Sequence, residues 1–109
     1  MSADEPRERR MAENEALARE VNERVGDVAA AWYGENEQLE FVCECSFDDC
    51  SARVRLRMAE YSRVRSSPQW FVVVPDHFAP EIEREIDRIG DYVLVEKIGV
   101  ARDVADETA

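Results

Sequence analysis

The sequence is short of the residues that most function classes need. Its 109 residues include one histidine, one lysine, four glycines and four prolines. No glycine-rich loop opens a helix, so there is no cradle for a phosphate chain. The His-x-Glu and Pro-Cys-x-x-Cys signatures of a zinc deaminase are missing. With a single imidazole, a nucleophile–histidine pair is open only if His77 has no other task. No stretch of about 18 apolar residues could span a bilayer. The N-terminal segment has no apolar signal-peptide core, which leads us to expect a cytoplasmic protein. Nothing assembles a catalytic constellation, and the expectation is a non-enzymatic protein.

Basic charge is also scarce. The formal net charge is −11, and thirteen of the fourteen basic residues are arginine. Such a chain repels nucleic acid and anionic lipid, because affinity for phosphates rests on Lys and Arg. Residues 35–50 carry six acids and no base, whereas residues 51–74 carry five arginines and one acid. Arg53, Arg55 and Arg57 fall on one face of a strand pattern. Exposure to water or pairing with the Glu81, Glu83 and Glu85 stripe is expected there, ahead of nucleic-acid binding.

Three cysteines are too few and too odd in number for a disulfide framework, and a reducing compartment argues the same way. Cys43-Glu44-Cys45 followed by Cys50 gives a C-x-C-x4-C spacing. Residues i and i+2 of a strand point to one side, so Cys43 and Cys45 converge without distortion. The turn through Ser46, Phe47, Asp48 and Asp49 brings Cys50 back beside them. Three thiolates need one further ligand to close a tetrahedron, and His77 is the one histidine on offer. Cys43, Cys45, Cys50 and His77 are therefore expected to hold one structural zinc ion per chain. The competing readings are a thiol redox switch, an iron–sulfur or other metal site, and cysteines that simply pack as small hydrophobes.

The pattern along the chain points to an α+β fold: a long N-terminal helix, then a small mixed β-sheet with a zinc knuckle and one or two short helices. One domain is expected over 11–98, with the helix at 11–33 and the sheet region at 39–98. Residues 1–10 and 99–109 are expected to be disordered tails. In the helix, Met11, Asn14, Ala18, Val21, Val25, Val28 and Trp32 recur at spacings of three and four. Such an a/d seam serves either packing on the chain's own sheet or a coiled-coil contact with a second copy or another protein. Leu39–Cys45, the Val54–Met58 stretch, Trp70–Val74 and Tyr92–Lys97 read as strands, and Ala59–Arg65 as a short helix. Residues 80–89 fit a helix through Ile82, Ile86 and Ile89, or a strand through the alternating acids. Trp32, Trp70, Phe71 and Tyr92 are expected in the core.

Several of these stretches together resemble a group of small, uncharacterised bacterial proteins. They are Phe41-Val42-Cys43-Glu44-Cys45 with Cys50, Glu60-Tyr61 with Val64-Arg65, Phe71–His77, Val95-Glu96-Lys97 and, in the helix, Val21–Val25. The resemblance runs over roughly residues 8–100. It implies that the three cysteines and the histidine act as one site, and it brings no activity. Ser46 and Asp76 stand where glycine is usual in that group.

We therefore expect a small interaction or regulatory module stabilised by zinc. The alternative is a regulator that releases zinc when its thiolates are oxidised. A zinc enzyme, which would need an open coordination position, comes third.

Overall fold

The computed structural model describes residues 5–47 and 50–109. It is an α+β fold. Helix α1 (Glu5–Ala30) is followed by strands β1 (Gln38–Val42) and β2 (Arg53–Arg57), helix α2 (Met58–Val64), strand β3 (Trp70–Val73) and a 3-10 turn (Pro75–His77). Strands β4 (Glu83–Ile89) and β5 (Tyr92–Lys97) and helix α3 (Gly99–Glu107) complete it. The strands pair antiparallel throughout, in two sheets of order β1-β2 and β3-β5-β4, and not in one mixed sheet. Among the described residues no helix is long and apolar enough to cross a membrane.

Three expected boundaries move. Helix α1 begins inside the expected N-terminal tail, at Glu5, with Glu5 and Glu8 in its first turn where acids favour the positive end of the helix. Residues 1–4 lie outside the described residues. It ends at Ala30, short of 33, because the N–H groups of Ala31, Trp32 and Tyr33 turn back onto the carbonyls of Val28 and Ala29. The expected tail from residue 99 is instead α3. Gly99 starts it at φ +58, a left-handed backbone that glycine adopts at little cost. Ala101, Val104 and Ala105, at i, i+3 and i+4, then bury one face of α3. Ala101 and Val104 pack with Ala12 of α1, and Ala105 packs under the central sheet.

The ambiguous segment 80–89 resolves as β4, joined to β5 by a two-residue hairpin at Gly90-Asp91, with Gly90 at φ +55. Ile86 is the extra residue of a bulge between Glu85 and Asp87, which breaks the alternation the sequence shows. The apolar run of β3 is covered on both sides, as a continuous hydrophobic strand should be. Val72 and Leu94 face Phe41, Val54, Leu56, Tyr61 and Val64. Phe71, Val73, Val93 and Val95 face Cys43, Cys45 and Ala105.

The largest correction concerns α1. The buried residues are Ala12, Glu15, Arg19, Asn22, Gly26 and Ala29, a seam of its own with spacings of three and four. The apolar stripe read from the sequence is turned outward at Val21, Val28 and Trp32, so Trp32 is no core residue. The polar members of the buried seam are tolerated because each meets a partner from another element. Glu15 meets Lys97, Arg19 reaches the Pro68 carbonyl and the Thr108 hydroxyl, and Asn22 meets β1.

Candidate metal centre

Strand β1 ends at Val42, and the chain then changes partners. The Cys43 N–H donates to the Ala52 carbonyl, continuing the β1-β2 ladder, while the Glu44 N–H donates to the Val72 carbonyl of β3. The chain thus crosses from one sheet to the other while carrying two thiols. Both Cys43 and Cys45 are buried, as period-two geometry requires for residues facing one core.

Cys50 arrives from the loop before β2, where its N–H donates to the Phe47 carbonyl. Of the expected turn, Asp48 and Asp49 lie outside the described residues. His77 arrives from the far side of β3. Pro75 begins the 3-10 turn with its ring-fixed φ, and the His77 N–H closes the turn on the Val74 carbonyl at 2.9 Å. The turn points the imidazole Nδ1 at the sulfurs, 3.6 Å from Cys43 Sγ and 3.3 Å from Cys50 Sγ. Phe47 stands edge-on to the ring at 5.0 Å.

The structure brings together all four residues singled out in the sequence. One ligand atom from each of Cys43, Cys45, Cys50 and His77 lies within 4.8 Å of the others. An ion bound at about 2.3 Å to sulfur and about 2.0 Å to nitrogen separates its tetrahedral ligands by roughly 3.5–3.8 Å. The Cys43 spacing lies in that range and the Cys50 spacing just below it, so the cluster can hold a metal ion after a small adjustment. The three cysteines are free thiols rather than a disulfide.

Electrostatics separate the thiols. Cys45 is drawn down to about 5, first by the hydrogen bond from Cys43, with further help from the Phe47 N–H, Cys50 and His77. Cys43 is pushed up, by that same hydrogen bond and by burial, and Cys50 is pushed up by burial. Three adjacent sulfurs resist ionising together, and a bound cation removes the penalty. The Val74 N–H adds a donor 3.2 Å from Cys43 Sγ. Arg53, the base nearest in sequence, does not neutralise the cluster, since its guanidinium donates to the Ser51 and Ala52 carbonyls.

Sequence reasoning missed Glu44. It sits between two ligands on what should have been the outward face, yet it is fully buried. Its carboxylate accepts from Asn22 Nδ2 at 2.8 Å and from the Val72 N–H at 3.0 Å, and Arg65 lies 3.6 Å away. Burial raises its pKa, and those three neighbours oppose the rise. Asn22 also brackets Val42, donating to its carbonyl and accepting from its N–H. One side chain of α1 thereby mimics an adjacent strand and fixes the segment that presents Cys43 and Cys45. Asn22 falls on a polar seam in step with Glu15, Arg19 and Gly26, visible in the sequence only if buried positions are allowed to be polar.

The chain was compared with protein-family models, with curated proteins and with solved structures, and no match was found in any of the three.

Proposed function

We propose that this chain is a zinc-stapled interaction module with no catalytic chemistry of its own. The observation that carries the reading is the convergence of Cys43, Cys45, Cys50 and His77 within 4.8 Å. Three thiolates and an imidazole in a tetrahedral array suit zinc among the common divalent ions. Four protein ligands close the coordination sphere, whereas a hydrolytic zinc keeps a position for water. The ligands come from the chain before and after β3, so the ion ties the connection between β1 and β2 to the turn that follows β3. Its binding energy becomes part of folding. With a net charge of −11, the surface favours a basic protein partner over nucleic acid.

Cobalt(II) titration tests the reading, because cobalt reports coordination by its visible spectrum. A tetrahedral spectrum with sulfur-to-cobalt charge transfer that saturates at one ion per chain and is displaced by zinc is expected. An octahedral spectrum, or saturation without any sulfur band, would overturn it.

A second reading, the redox-responsive regulator, has one observation in its favour. Cys50 and His77 line a surface cavity of about 640 Å³ with Phe47, Ser51, Ala52 and Asp76. Peroxide could enter there and oxidise two thiolates to a disulfide, becoming water as the ion is released. Zinc release in step with peroxide would support this version, and retention under mild peroxide would leave the purely structural one.

A further inference from the structure

Helix α1 carries its apolar stripe on the wrong side for its own fold. Leu17 is 61 % exposed, Val21 48 %, Val28 65 % and Trp32 79 %. At 100° per residue Leu17, Val21 and Val28 fall on one face of the helix, roughly opposite the buried seam of Ala12, Glu15, Arg19 and Asn22, and Trp32 follows in the turn after Ala30. Arg10, also exposed, begins the same stripe one heptad before Leu17.

We infer that this face binds a second copy of the chain, with the two α1 helices antiparallel and Val21 meeting Val21 on the two-fold axis. Three features select this occupant. The first is the stripe's own symmetry: Arg10 and Trp32 lie eleven residues to either side of Val21. An antiparallel pair therefore sets each Arg10 guanidinium against the partner's Trp32 indole, a cation–π contact made twice. A parallel pair would set arginine against arginine.

The second is the flank of the stripe. Glu20 and Arg24 already pair at 3.1 Å within the helix. In the antiparallel arrangement the Glu20–Arg24 pair of one copy faces the reversed pair of the other, so each Glu20 lies between its own Arg24 and the partner's. The third is area. The four apolar side chains offer roughly 500 Å² per copy, so the pair buries roughly 1,000 Å², the lower bound of a specific interface. Affinity in the micromolar range follows from so small a contact. The net charge of −11 on each copy opposes association at low salt, so ionic strength near 0.15 M, with a Debye length of about 8 Å, is the setting in which the pair forms.

The proposal does not depend on the identity of the metal, and it is tested on full-length, metal-loaded protein by sedimentation equilibrium from about 1 to 200 µM, spanning the affinity expected of so small an interface. A monomer–dimer equilibrium is expected. Val28→Arg places a charge within the stripe and should weaken association at least tenfold, while the circular dichroism melt stays that of the parent because Val28 is exposed. Arg10→Ala decides the orientation. It weakens an antiparallel pair several-fold by removing both cation–π contacts, but strengthens a parallel one by relieving repulsion. A parent chain that stays monomeric to 200 µM, a dimer indifferent to Val28→Arg, or a dimer tightened by Arg10→Ala would each overturn the proposal.

Discussion

The sulfur cluster around Cys43 and the charge cluster around Lys97 do the same task with opposite chemistry. Each joins segments far apart in the chain: Cys43, Cys45, Cys50 and His77 on one side, Glu15, Glu83 and Lys97 on the other. Lys97 is fully buried, bonds Glu15 Oε2 at 2.6 Å and bonds Glu83 as well, with its ammonium 4.6 Å from the centre of the Phe71 ring. With all its thiols ionised, the sulfur cluster would gather negative charge for a bound cation to balance. The lysine cluster carries its cation within the chain but has one carboxylate too many. Glu15 shows the surplus. Its second oxygen, Oε1, has no hydrogen-bond partner among the described residues, and burial raises its pKa well above 4.5, with Lys97 opposing the rise and Glu83 adding to it. Metal sites and buried ion pairs therefore differ in what their removal costs. The first loses a ligand with its whole binding energy, and the second leaves behind charges that were already paying for desolvation.

That contrast can be broken at four points, in decreasing order of effect. Cys45→Ser should abolish tight metal retention and cost on the order of 5 kcal/mol of folding stability, read from urea unfolding with and without zinc. A variant that unfolds like the parent in zinc would mean the sulfurs hold no structural ion. Lys97→Met leaves Glu15 and Glu83 buried without their cation. A loss of about 3–5 kcal/mol is expected in the metal-loaded protein, with full metal content kept. Loss of metal instead would show that the two clusters are not independent.

Glu44→Gln tests the link between α1 and the sulfurs. The amide cannot accept from both Asn22 and the Val72 N–H as the carboxylate does. A fall of about ten- to a hundredfold in zinc affinity is expected by competition with a chelating dye. Glu15→Gln is the mildest. The folded Glu15 keeps its proton above pH 4.5, where the unfolded chain has released it, so the folded state binds more protons and the parent loses stability as pH rises through that window. The amide removes the slope. At pH 8 Glu15→Gln should be more stable than the parent by on the order of 1 kcal/mol. A variant that is less stable at pH 8 would show that the charged carboxylate is needed there.

The two clusters also differ in how far the sequence discloses them. With three cysteines and one histidine there is a single way to make a four-ligand sulfur–nitrogen set, and alternation along a strand already aims Cys43 and Cys45 together. The lysine cluster draws on twenty-five acids, and nothing local singles out Glu15 and Glu83. The solitary lysine among thirteen arginines was the one available hint. Helix α1 misleads for a related reason. Hydrophobic periodicity finds the stripe that would leave water most readily, yet Asn22, Arg19 and Glu15 are buried because β1, the Pro68 carbonyl and Lys97 supply their partners. Helix α3 was hidden by its composition. Ala101, Val104 and Ala105 are small, and their fit against the neighbouring elements, rather than bulk, keeps them dry.

Native mass spectrometry of the purified protein, before and after treatment with a chelator, bears most directly on the metal centre. One zinc ion per chain is expected, lost on chelation together with the compact charge-state distribution, and His77→Ala should lower the occupancy. Chains that stay compact and carry no metal after refolding in excess zinc would contradict the account, and so would full occupancy in His77→Ala.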